Sequence, residues 1–168
     1  GSVRCVQETA YIQMTRKAME SEGIREREET EILTDLEVHE AWANQICRKT
    51  EEMPAIDWTK SNYSRMNLKN RNLSGIDFTG SLMKNCDFTA CNLTGVDFSG
   101  CNLTGAIFLN AILAQNTFDG AKLEDIKIDQ KNLQLFENAG IAVNTDQTGP
   151  MNISVNRSVL SRKGNTAV

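Results

Sequence analysis

The sequence predicts a mainly β solenoid flanked by helical segments, and three observations carry that expectation. A large apolar residue stands at every fifth position from Trp58 to Ile128, a run of 15 that includes Phe78, Phe88, Phe98, Phe108 and Phe118. A helix repeats at about 3.6 residues and a strand at 2, so a period of five belongs to a chain wound about an axis by another rule. That rule is stacking of short repeats. On either side of the run the spacing changes to a helical one.

The elements follow in chain order. Residues 1–55 read as an N-terminal helical region, with one helix over 3–22 and another over about 26–50, separated by Gly23 at a helix end. In the second, Ile32, Leu36, His39, Ala43 and Ile46 fall on one arc with Trp42 at its margin, which is a packing face. Glu31, Asp35, Glu37 and Glu40 lie opposite and are expected in solvent. Pro54 stops the helix.

Residues 56–130 divide into 15 consecutive five-residue units, the clearest reading CDFTA, CNLTG, VDFSG and CNLTG. These units resemble the pentapeptide-repeat family, whose pattern is A(D/N)LxX. The resemblance implies a right-handed quadrilateral parallel β-helix with four units per coil, hence about four coils here. Sorting by twenty residues supports the same number independently. One column is then Trp58, Phe78, Phe98, Phe118 and another Leu68, Phe88, Phe108, Ile128; between them stand Tyr63, Met83, Leu103, Leu123 and Leu73, Leu93, Leu113. Phenylalanines line two facing walls.

The residue two places before each large one is small and points inward. Cys86, Cys91 and Cys101 are among these, on three different walls, so they read as space-filling thiols and not as metal ligands. Arg71 and Asn116 break their columns and mark an end or a local distortion. The residue just before each large one points outward. It is Asp at 57, 77, 87 and 97 and Asn at 62, 67, 72, 92 and 102, short polar side chains that satisfy turn backbone. Asp77, Asp87 and Asp97 are therefore corner residues and not catalytic carboxylates. Gly at 75, 80, 95, 100, 105 and 120 supplies the positive φ that such corners need.

Residues 131–143 are expected to form a capping helix, with Asp129 as N-cap, Leu133 and Phe136 on one side and Gly140 past its end. It would lid the open last coil, as the N-terminal helices would lid the first above Trp58. Residues 144–168 are polar, lack periodicity and read as a flexible tail.

Charge narrows the function classes. Net charge is -5 over residues 1–55, -1 over 56–130 and +2 over 131–168. No basic stripe is present, so direct nucleic-acid binding is not expected. No apolar run is long enough for a membrane span. Five cysteines, three of them in phase with the repeat, favour reduced thiols and a cytoplasmic, reducing compartment. Gly1-Ser2 with no Met reads as a cloning remnant, so the chain is expected to be a fragment of something longer.

No nucleotide, hydrolase or zinc-protease motif appears, and His39, the only histidine, has no catalytic partner at a recognised spacing. No enzyme, cofactor or metal is therefore expected. The departures that need an occupant are Ile107, Leu109 and Ile112, apolar where earlier units carry polar outward residues. They are the candidate contact for a protein partner or a second copy of the chain; the alternative is cover by the C-terminal segment. The ending Thr166-Ala167-Val168 fits a C-terminal peptide motif of the kind held in PDZ-type grooves.

The expected function is a non-catalytic interaction or scaffold module. The family resemblance adds a bacterial effector acting in host cells, with delivery into host cytosol. It also adds a DNA-mimic inhibitor of DNA gyrase, which the near-neutral repeats disfavour. A third alternative is a targeting or substrate-binding part of a longer enzyme.

Overall fold

The computed structural model describes residues 23–45, 52–138 and 151–153. Parallel β-bridges join residues twenty apart, in a first wall from Asp77 to Asp97 to Thr117, a second from Asn62 to Leu82 to Asn102 to Lys122, a third from Asn67 to Asp87 to Ile107 to Lys127, and a fourth from Asn72 to Asn92 to Ile112. These are four walls. The ladder is regular, with the Tyr63 amide donating to the Leu82 carbonyl at 2.8 Å and the Leu82 amide donating back to Ser61 at 3.0 Å. Each residue pair thus closes one rung between neighbouring coils, which is parallel pairing with no crossover helix.

The lumen is filled by the large residue of every unit. Phe78 lies over Phe98 with ring centroids 6.0 Å apart, and Phe88 over Phe108 at 5.1 Å. Phe98 also meets Phe88 and Phe108 edge to face, at 5.7 and 5.9 Å, so the two phenylalanine walls touch across the axis. Trp58, Tyr63, Leu68, Leu73, Met83, Leu93 and Leu103 are buried beside them, as the twenty-residue sorting requires.

The small inward position carries a hydrogen bond that the sequence does not advertise. Cys86 donates from Sγ to the Tyr63 carbonyl, Cys91 to Leu68 and Cys101 to Phe78, each 23 residues back. Ser81 does the same to Trp58. Asn116 follows the rule with its side-chain amide, which donates to the Leu93 carbonyl at 2.7 Å and also to Val96. The corner before it is distorted: the amide-to-carbonyl bond three residues back, made by Ala106, Ala111 and Ala121, is not among those the described backbone makes at Asn116.

At the corners, φ is positive at every fifth residue from Lys60 to Asp125, whether or not glycine is present. Lys60, Arg65, Ala90, Gln115 and Asp125 take this backbone at a cost that Gly95 and Gly100 avoid. Repeat geometry, and not local composition, imposes the turn.

The N-terminal helix, α1, spans Glu29–Ala43, shorter at both ends than the 26–50 expected; residues 46–51 and the proposed helix over 3–22 lie outside the described residues. Glu29 and Glu31 in its first turn suit the positive end of the helix dipole. Ile32, Leu36 and His39 are buried against the first coil, as that arc predicts. The opposite face is a correction. Asp35 and Glu40 are not simply solvated: Arg27 pairs with Asp35 and Glu31, and Arg71 Nη1 meets Glu40 Oε1 at 2.5 Å. Arg71 leaves its column because it reaches out to α1. Ahead of the helix, Arg25 bridges Ser61 and adds one more rung to the second wall.

At the other end β1, Ile126–Ile128, closes the third wall, and α2, Gln130–Asn138, follows. The Asp129 carboxylate accepts the Asn132 amide, so Asp129 is the N-cap expected. Phe136 is fully buried at 5.3 Å from Phe118, and Asn132 donates to the Ala111 carbonyl, so α2 covers the open coil. A short strand, β2, Met151–Ile153, pairs antiparallel with β1. This departs from the expected featureless tail at these three residues. An exposed β edge offers unpaired amides and carbonyls, and a short segment can take them without an apolar period of its own.

Candidate interaction surface

Outward positions divide into two kinds. In nine units the Asp or Asn accepts the backbone amide two residues on: Asp57 from Thr59, Asn62 from Ser64, Asn67 from Lys69, Asn72 from Ser74, Asp77 from Thr79, Asp87 from Thr89, Asn92 from Thr94, Asp97 from Ser99 and Asn102 from Thr104. Such a side chain holds the corner that follows it. Asp77, Asp87 and Asp97 all serve this role, and Asp87 also pairs with Lys69. Burial would raise the Asp87 carboxyl, but the Thr89 hydroxyl and amide, with Lys69 at 3.4 Å, outweigh it and hold the group below the usual carboxylate range.

At Ile107 and Ile112, as earlier at Leu82, that bond is given up. Both still form their rungs, Ile107 between Asp87 and Lys127 and Ile112 beside Asn92. They stand on the third and fourth walls, on either side of the corner at Leu109 and Asn110. Ile112 is 53% exposed, and Ile107 and Leu109 are partly buried. The corner is braced from below, since the Asn110 amide donates to Asp129 Oδ2 at 2.5 Å. The structure therefore brings the three predicted apolar residues to one rigid corner. Thr166 and Val168 lie outside the described residues.

Sequence reasoning did not find the ion pairs that tie α1 to the solenoid, because Arg71 and Glu40 are 31 residues apart and follow no shared period. Nor did it find Arg27, which stands 6.0 Å over the Trp58 ring. Burial alone would lower the Arg27 guanidinium, but its bonds to Asp35 and Glu31 raise it instead. Among the described residues no group of three His, Cys, Asp or Glu is placed to hold a metal ion.

The repeat pattern, with its twenty-residue coil, is matched by the profile for pentapeptide repeats, in eight copies over residues 64–100 and 91–130. Residues 64–130 are pentapeptide repeats. Fifteen chains of solved structures match it. One is a pentapeptide repeat protein from the Arabidopsis thaliana thylakoid lumen, 16% identical, TM-score 0.31, covering 62% of this chain and 86% of that one. Another is the pentapeptide repeat protein Rfr23 from the cyanobacterium Cyanothece, 25% identical, TM-score 0.18, covering 43% of this chain and 42% of that one. No curated protein matches.

Within this pentapeptide-repeat solenoid the thiols are unreactive by placement. Burial pushes Cys86 and Cys101 up to about 12 and Cys91 up to about 11, so little thiolate forms at neutral pH. Such thiols survive in an oxidising or a reducing compartment, and the three free cysteines of the pentapeptide repeats lose their value as a guide to location. Among the described residues no helix is long and apolar enough to cross a membrane.

Proposed function

We propose that this chain is a non-catalytic protein-binding module that presents the corner at Ile107, Leu109 and Ile112 to a protein partner. The reading is supported above all by Ile112, the most exposed large apolar residue among those described, at a wall position where sibling units keep a turn-holding Asp or Asn. An isoleucine there gives up a local bond and gains no burial, so folding does not account for it. The backbone beneath is fixed by rungs on both sides, and a rigid surface loses little entropy on docking.

Delivery of the module into a host cell rests on family likeness alone. So does gyrase inhibition, to which the near-neutral repeat segment lends no DNA-like charge.

Ile107→Asp combined with Ile112→Asp tests the reading. Both positions point outward, so thermal unfolding should stay near that of the wild type while capture of partners from lysate, and any self-association seen by sedimentation, is lost at least tenfold. Equal capture and equal self-association by both proteins would remove this corner as the site.

A further inference from the structure

We propose that His39 is an acid-sensitive latch: protonation of its imidazole releases α1 from the first coil and uncovers the Trp58 end of the solenoid. His39 is fully buried between the helix and the repeats. Its Nε2 lies 3.0 Å from the Ser74 carbonyl oxygen, which can only accept, so Nε2 carries the hydrogen. Nδ1 is buried and has no partner among the described residues. A second proton would thus enter at a buried Nδ1 with no acceptor among the described residues, while the ring is held against Trp42 at 5.6 Å and Trp58 at 6.1 Å.

The charged groups around the ring do not relieve that cost. On α1 itself the acids are Glu40 and Asp35. Glu40 is engaged by Arg71 from the first coil, and Asp35 by Arg27 from the segment before the helix. Arg27 brings a further positive charge over Trp58. Below α1, Asp57 is taken by Thr59 and Arg25. Burial accordingly pushes His39 below its ordinary value of 6.5, against weaker opposing effects of Ser74 and Glu40.

The sign follows from that direction. A histidine whose value is lowered by docking contributes fully to docking above about 6.5, and the contribution fades as pH falls toward the lowered value, because the released helix takes up the proton and the docked one does not. The docking equilibrium weakens by up to about tenfold per pH unit in that window. Release exposes Ile32, Leu36 and Trp58, which are buried in the closed form.

Both tryptophans of the chain touch this one histidine, so tryptophan emission reports the latch directly. The wild-type chain should show an emission change between pH 7 and 5, and hydrogen exchange, corrected for intrinsic rates, should speed at least tenfold in the α1 amides while the Phe98 coil stays protected. His39→Gln, which keeps a donor for Ser74 and cannot titrate, should be flat over the same range. His39→Leu replaces it as the non-titrating control should His39→Gln leave α1 unprotected throughout. Wild-type α1 equally protected at pH 7 and 5, or a control that loses protection as the wild type does, would overturn the latch.

Discussion

Phe98 lies face to face on Phe118, ring centroids 5.3 Å apart and planes within 9°, although twenty residues of chain separate them. The offset is one coil, and the same offset relates Phe78 to Phe98 and Phe88 to Phe108. Aromatic stacking along the axis and edge-to-face contact across it fill the tube, so the walls are held from inside as well as by their rungs.

The thiol at 101 is a hydrogen-bonded filler, and Ser81 does the same work one coil earlier in the same column. Cys101→Ser is therefore expected to cost less than about 1 kcal/mol by denaturant titration. Alkylation read by mass spectrometry should leave Cys86, Cys91 and Cys101 unmodified in the native protein and label all three after unfolding.

Ala90 sits at a corner with φ 59, a conformation that costs a residue bearing Cβ about 1–2 kcal/mol. Ala90→Gly should raise stability by roughly 0.5–1 kcal/mol, the relief of strain exceeding the entropy that glycine adds to the unfolded chain. Gly105→Ala should act the other way and lose about 1–2 kcal/mol, since φ there is +73 and a Cβ would meet Asn85 Oδ1. Thermal melts of the two variants should move in opposite directions.

Asp87 stabilises the fold as a carboxylate. Its value is lowered in the folded state, so its contribution is present above the unfolded carboxylate value of about 3.9 and is lost as pH falls through the lower, folded one. Asp87→Asn keeps the oxygen that accepts the Thr89 amide, as Asn67 does for Lys69 in the same wall. At pH 7 it should cost under about 0.5 kcal/mol. Between pH 5 and 3 the variant should lose less stability than the wild type.

The repeat segment was legible because every unit obeys one period, and that period alone places Trp58, Phe78, Phe98 and Phe118 in a column and Asp77, Asp87 and Asp97 at corners. Asn116 and Arg71 were legible as exceptions, but not their reasons. One substitutes its amide for a thiol as donor to Leu93, and the other meets Glu40 across the junction with α1. Those contacts join segments with different periods, and no spacing within either announces them. The strand at Met151–Ile153 was hidden for a related cause: its role is backbone pairing with Ile126–Ile128, which leaves little mark on side-chain pattern. Of the surface, the change from Asn and Asp to Ile107 and Ile112 was visible, while the bracing of their corner by Asp129 was not.

The filled four-walled tube is tested most directly by Phe98→Ala, which removes a ring in contact with Phe78, Phe88, Phe108 and Phe118 together. Equilibrium unfolding in denaturant should show a loss of about 3–5 kcal/mol, or no cooperative transition at all. A loss under about 1 kcal/mol would contradict the account, because a ring so easily spared does not hold the coils together.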